Sequence, residues 1–560
     1  MRAQATLIAA ILLATNLMVA SNLSPELQKL TSSSPSTDVI VQFVNAPSST
    51  VLSGVTKGGG NLKKNYTHVR AALFNLPPAA IGALANNPNV KYVSPNRTIS
   101  GKMEFAEPTT NANIALQYGY DGTGVGVAIV DSGISTSNDL STNGMSRIVY
   151  STSFVPGDAT TADAYGHGTH VAGIVAGNGA NSSGNNAIYT FRGIAPNARL
   201  INLRALDANG QGTDAAVISA IDQAIALKTQ YNIRVLNLSL GRPVIESYTL
   251  DPLCQAVERA WQAGIVVTVA AGNDGRDNSQ GTSGYGTITS PGIDPYVITV
   301  GAMNDERTVA RGDDLMTTYS SKGPTMLDHI VKPDLVAPGN GIISVLAPGS
   351  AISSLFPNNV VPISYYKNVG NNLVSSTYFR LNGTSMAAPM VSGAAALLIQ
   401  KDPTLTPDTV KARLMKTATK NFPASSTITD PTNGQSFTVN YDLFTVGAGY
   451  LDVWAALNNS DTVSSGSNAL SPAATFNTST GTVSLVDPAN SVWTNAIVWG
   501  SQVVWGTSVV SSSNTVLGGT AIVWGSTSLQ GNAIVWGTAI LWGSSNPFSQ
   551  TIGISGEAAP

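Results

Sequence analysis

Cysteine is all but absent: Cys254 is the only one in 560 residues. A single thiol cannot close an intrachain disulfide, and it excludes a four-cysteine zinc site as well. Charge is also scarce, at 11% Asp, Glu, Lys and Arg, against roughly a quarter in an average domain. A formal net charge of −3 without a long Lys/Arg run lacks the electrostatic footprint of nucleic-acid binding or of attraction to anionic membranes. Long apolar runs are missing too. The longest candidate, residues 7–20, makes a helix of about 21 Å, short of the ~30 Å hydrocarbon core. With Arg2 before it and the small Ala20 and Ser21 at its end, it reads instead as a cleaved export signal over residues 1–21. The protein is then secreted or extracellular, with no stable membrane span. What remains is 43% apolar, ample for a large core, on a length that suggests about three or four folded units.

Residues 38–101 mix short β-branched runs (39–44, 71–76, 90–93) with a helical stretch at 79–85. They predict a small α+β unit, after which few apolar residues interrupt a linker up to position 110. From residue 124 the pattern changes. Continuous apolar runs at 125–130, 199–205, 235–240 and 265–271 alternate with helical stretches at 215–228 and 254–264. Such alternation predicts an α/β fold with a buried parallel sheet and right-handed crossovers. Ligands and catalysis then belong beyond the C-terminal strand ends, where Asp131 and Asn273 fall. The unit closes near residue 457, and residues 458–490, rich in Ser, Thr, Asn and Ala, read as a linker.

The last segment, 491–545, carries a repeat: Trp499-Gly500, Trp505-Gly506, Trp524-Gly525, Trp536-Gly537 and Trp542-Gly543, each after two aliphatic residues. Most of the intervals between them are six or twelve residues, and an even interval places both tryptophans on one face of an extended strand, so a β-rich tail is expected. A small Trp-lined appendage, a surface-attachment module and a segment prone to β-pairing all fit this pattern.

Four strings carry chemistry. Gly166-His167-Gly168-Thr169-His170 opens a small-residue helix. Its histidines, three apart, could ligate a metal or simply pack, but the chain has four histidines in all and no HExxH glutamate. Asn382-Gly383-Thr384-Ser385 precedes an apolar helical run. Ser385 therefore lies where free N–H groups and the helix dipole face any anion formed there, although a serine at a helix start can also be a plain cap. Asp131, at the end of a buried strand, can make an Asx-turn or fix the tautomer of a histidine. Asn273, at another strand end, can serve turn chemistry or donate to an oxyanion.

Together these strings resemble the subtilisin-like serine proteases, the subtilase family: Asp131 in VAIVDSGI, His167 in HGTHVAG, Asn273 in VAAGN and Ser385 in NGTSMAAP, in that order. The resemblance covers residues 110–457 and implies a parallel-sheet catalytic domain with helices on both faces. It implies Asp131, His167 and Ser385 as a triad, Asn273 as oxyanion donor, polypeptide substrates, and no cofactor for the chemistry. Residues 38–101 resemble the family's pro-domain, an intramolecular inhibitor cut off between Arg97 and Ala112 in a self-processing precursor. Leu238, Ser239, Leu240 and Gly241 are similar to the strand that pairs with substrate. Residues 207–212, with Gly210, resemble the opposing edge, and residues 289–292 the pocket floor. Arg242 and Pro243 follow Gly241, where many relatives carry another small residue. The 218 residues from His167 to Ser385 exceed the interval in subtilisin by about 60, predicting extra loops at 179–190 and 346–378. Loop 178–186 falls where relatives often hold calcium, yet it offers no carboxylate, so a tight site there is not expected. The metal ligands are unknown, and a structural calcium elsewhere stays open. Two rival readings are an inactive binding protein on the same fold and a surface-attachment protein whose Trp-Gly tail is the functional part.

Overall fold

A computed structural model describes residues 22–492, apart from positions 29, 31–33, 67, 97, 102–107, 185, 369–373, 431–433 and 478–481. The export signal and nearly all of the Trp-Gly segment lie outside the described residues. The described chain forms two units, one within residues 1–64 and 70–95, the other within 65–69 and 96–560.

In the smaller unit, Val39, Val41 and Phe43 alternate along the Thr37–Phe43 strand and point into one core with Phe74, Leu76, Ile81 and Leu84. Side chains alternate between faces along a strand, which is the reason for that spacing, and Ile40 and Gln42 on the opposite face are buried as well. Thr37–Phe43 pairs antiparallel with both Ala71–Leu76 and Val90–Pro95. Asn61–Asn65 completes a four-stranded sheet. Helices Ser49–Thr56 and Pro78–Leu84 add Leu52, Val55, Ile81 and Leu84 to the same core. This is the small α+β arrangement expected from the sequence.

The larger unit is built on an eight-stranded sheet. Its central run is Ile298–Asn304, Val266–Ala270, Ile233–Leu238, Gly126–Asp131, Arg199–Arg204 and Ile148–Ser153, paired in parallel throughout. Leu335–Asn340 joins Ile298–Asn304 in parallel, and the short Leu315–Met316 joins it antiparallel. Gly126–Asp131 is buried at every position, as a strand covered on both faces must be. The Thr384–Lys401 helix packs against the strands at 233–238, 266–270, 298–304 and 335–340, and against the His167–Ala176 helix. Asp214–Tyr231 and Pro252–Gln262 pack on each other, the first also against Ile233–Leu238 and the second against Val266–Ala270. The chain leaves Gly126–Asp131 toward one edge and returns to the other side at Ile233–Leu238. Asp131 thus ends a strand at the switch point where open sheets form their crevices.

The described residues of 458–490, a stretch expected to be a linker, dock on this unit. Ser471 Oγ donates to Asp334 Oδ1 at 2.5 Å, Val331 N to Pro472 O at 2.8 Å, and Ala474 N to His329 O at 2.8 Å. The hairpin Ala473–Asn477/Thr482–Val486 places Ala474 and Val483 in a core with Val331, Tyr441 and Phe444. So few apolar anchors leave little periodicity, hence the linker-like sequence. Among the described residues no helix is long and apolar enough to cross a membrane.

Candidate active site

The Gly126–Asp131 strand delivers Asp131 to the crevice, and the His167–Ala176 helix brings His167 to it. His167 Nδ1 lies 2.6 Å from Asp131 Oδ1, with the two side chains 0% and 1% exposed. The same carboxylate oxygen accepts from Ser132 N at 2.7 Å and Ser132 Oγ at 3.2 Å. With Nδ1–H given to Asp131, the imidazole presents Nε2 as a lone pair.

Asp163 supports this arrangement, and sequence reasoning missed it. Its Oδ1 accepts from Gly166 N at 2.6 Å and Ser132 Oγ at 2.8 Å, and its Oδ2 from Thr169 N at 2.7 Å. The helix start at Gly166 has no cap side chain of its own, so a remote carboxylate satisfies its orphan N–H groups. Burial pushes the Asp163 carboxyl up, against the pull of these donors. An acidic residue four positions before the histidine was the available signal.

Ser385 is the second residue of the Thr384–Lys401 helix and is buried. Pro389 lies four residues on inside that helix. A proline has no N–H to give to the carbonyl four residues back, so Ser385 O is released from the helix ladder. It accepts instead from Ser239 Oγ at 2.5 Å, while Ser385 Oγ donates to Ser239 O at 3.1 Å. This reciprocal pair fixes the serine against the end of the Ile233–Leu238 strand.

Asn273 faces the same helix start. Its Oδ1 accepts from Thr384 N at 2.8 Å and Thr384 Oγ1 at 3.0 Å. A backbone N–H can only donate, so the amide oxygen must face Thr384 and the NH₂ must point the other way. That Nδ2 is buried and has no hydrogen-bond partner among the described residues, an expensive state for an amide with nothing to bind. Thr384, also not anticipated, orients it.

Two short strands form walls beyond this centre, Leu240–Gly241 and Gln211–Thr213. Residues 98–101 of the chain run between them as the middle strand of an antiparallel sheet. Ser100 is opposite both Gln211 and Gly241, and Gly101 is opposite Leu240. A groove that pairs an extended backbone on both sides recognises main chain first. Of the residues expected to pair with substrate, Leu240 and Gly241 form the first of these strands and Ser239 directly precedes it. Leu238 instead ends the core strand beside Val269, and Gly210 occupies the turn before the second wall at φ 72°. Near the expected floor, Ser290 exchanges backbone bonds with Arg242, both 3.0 Å.

Near residues 178–184 several side-chain oxygens are already committed within the protein. The Asp139 carboxylate beside this loop accepts from Asn181 N at 2.7 Å and Tyr378 Oη at 2.5 Å. Asn178 spends its amide on Ser141 O at 2.6 Å and its oxygen on Ala180 N at 3.0 Å. No group of three His, Cys, Asp or Glu suited to a metal occurs among the described residues. His170, three residues after His167, sets Nε2 at 3.1 Å from Phe379 O; burial first and then the nearby His167 push its pKa down to about 3.

Comparison with known proteins places the chain in a family. The family model for the subtilase family matches residues 122–449. Serine protease AprX of Bacillus subtilis is 38% identical over 373 residues, covering 64% of this chain and 76% of the relative. Subtilisin DY of Bacillus licheniformis is 37% identical over 316 residues, 56% of this chain and 91% of the relative. Fervidolysin from Fervidobacterium pennivorans shares the fold with a TM-score of 0.54 at 22% identity, covering 79% of this chain and 64% of that one. The family model spans more than half of the chain, and the chain belongs to the subtilase family of subtilisin-like serine proteases.

Proposed function

We propose that this chain is a secreted serine endopeptidase, made as a self-processing precursor and acting through Asp131, His167 and Ser385. In this reading His167 Nε2 takes the Ser385 proton as the oxygen attacks a peptide carbonyl. Asp131 keeps the ring in the required tautomer and stabilises the imidazolium that forms. The tetrahedral oxyanion sits between Asn273 Nδ2 and the free Ser385 N–H. His167 then protonates the leaving amine, and water hydrolyses the acyl-enzyme. No cofactor enters any of these steps.

The observation that carries the proposal is the buried amide of Asn273, held by Thr384 with its NH₂ unpaired next to the helix that bears the serine. Residues 38–101 act as the pro-domain in this reading. Their last four residues lie between the two cleft walls, the place a substrate strand would take. The test is Ser385→Ala. Casein hydrolysis should fall by roughly 10⁶-fold. Intact mass and N-terminal sequencing should show loss of the pro-domain by a cut between Arg97 and Ala112 in the wild type, and an uncut chain in the variant. A Ser385→Ala chain that still digests casein would overturn the triad.

A further inference from the structure

Arg242 directly follows the wall residue Gly241 in the chain, yet it is buried. Its side chain is 1% exposed. Nε donates to Asp214 Oδ1 at 2.9 Å, Nη2 to Asp251 Oδ1 at 2.8 Å, and Nη1 to Pro243 O at 3.2 Å. Both carboxylates are fully buried, and Glu246 Oε1 lies 3.8 Å from Nη2.

The positions of these partners carry the argument. Arg242 is the residue immediately after one cleft wall, Leu240–Gly241, and Asp214 is the residue immediately after the other, Gln211–Thr213. The Nε–Oδ1 bond therefore joins the ends of both walls directly. Asp251 caps the Pro252–Gln262 helix, accepting from Leu253 N at 2.9 Å, and takes Ser290 Oγ at 2.7 Å on its other oxygen. Ser290 closes the ring through its two backbone bonds to Arg242. One planar guanidinium thus meets two carboxylates in fixed directions, a geometry a lysine ammonium cannot copy.

We propose that Arg242 is a positioning residue for the substrate strand: it holds the two walls at the separation that admits one extended chain between them. For strands about 4.8 Å apart, that separation is about 9–10 Å, and a change of about 1 Å at either wall would cost backbone pairing to substrate on both sides. The inference rests on the protease reading, because only an extended substrate uses both walls.

The test compares Arg242→Lys, and Asp214→Asn as a variant of nearly unchanged shape, with the wild type purified after expression of the full chain. Two substrate series share the same terminal residue: tetrapeptide anilides, which engage both walls, and N-acetyl amino-acid esters, which do not. The expected result is a rise in KM and a roughly 10- to 100-fold loss of kcat/KM on the anilides, with ester turnover within about twofold of wild type. An equal loss on both series, or no loss on the anilides, in whichever variant folds, would overturn the proposal. If both variants fail to fold, the residue is structural and the proposal is likewise overturned. A wild-type enzyme that cleaves neither series overturns the protease reading instead, and the two failures are told apart by that control.

Discussion

Asn273 and Asp314 show how burial turns an ordinary residue into a specialised one. The Asn273 amide has its oxygen committed to Thr384 and its NH₂ without a partner among the described residues; in the proposed mechanism that NH₂ donates to the charge that appears in the transition state. Asn273→Ala should lower kcat about 10²–10³-fold, as loss of one oxyanion donor does, with KM nearly unchanged, measured on a soluble peptide anilide. Asp314 is buried beside Asp305 and Asp313. Burial raises its pKa from 3.8 to about 7; the Tyr450 hydroxyl and Arg311 oppose the rise, while Asp305 and Asp313 add to it. The unfolded chain gives up this proton near 4 and the folded chain keeps it to about 7, so its contribution to stability is full in acid, declines across that interval and is flat above it. Asp314→Asn should remove that decline and raise stability at pH 8 by on the order of 2 kcal/mol. Urea unfolding at pH 5 and pH 8 reads the difference. The chain sequence identified Asn273 by its place at a strand end, but nothing near Asp314 in sequence marked it as buried.

At the scale of the element, the serine helix owes its use to an internal proline. Pro389 withholds the N–H that would bond Ser385 O, and Ser239 Oγ takes the vacancy at 2.5 Å. Pro389→Ala would restore the competing helical bond. Thermal stability should hold or rise, by up to about 1 kcal/mol, since a helix-interior proline is replaced, while kcat should drop about tenfold as the serine loses its tie to Ser239. A variant with unchanged kcat would show that the Ser239 contact does not position the nucleophile. The helix itself was legible from its small apolar residues, and so were the four main parallel strands, because continuous apolar runs between turn residues have few other solutions. Short walls were less legible. Leu240–Gly241 and Gln211–Thr213 have two and three residues, too few for a periodic signal, so the opposing edge was expected at 207–212 and lies slightly later.

The larger unit, most of the molecule, contains a buried charge cluster that reaches past the expected end of the catalytic unit. Lys332 Nζ lies 2.7 Å from Asp334 Oδ2 and Lys411 Nζ 3.2 Å from Oδ1, all three side chains fully buried. Lys411 also donates to Pro295 O and Ser471 Oγ, both at 2.8 Å. Burial opposes the Asp334 charge, and the two lysines overcome it, holding that carboxyl below its usual range. Ser471 completes the cluster from the segment after residue 457. Truncation after Leu457 would strip partners from buried charges and uncover the core around Ala474 and Val483. It should cost about 3–5 kcal/mol, read as a lower urea midpoint, whereas a true linker would be removed without effect.

The order of Asp131, His167, Asn273 and Ser385 and the parallel α/β class were already decided in the linear chain, because strand-end and helix-start chemistry is local and leaves local signatures. Which way Arg242 turns, why Asp163 matters, and that residues 469–477 and 482–486 belong to the body were decided only by folding. Each depends on partners tens to hundreds of residues away, and burial of a charge is settled by what surrounds it in space.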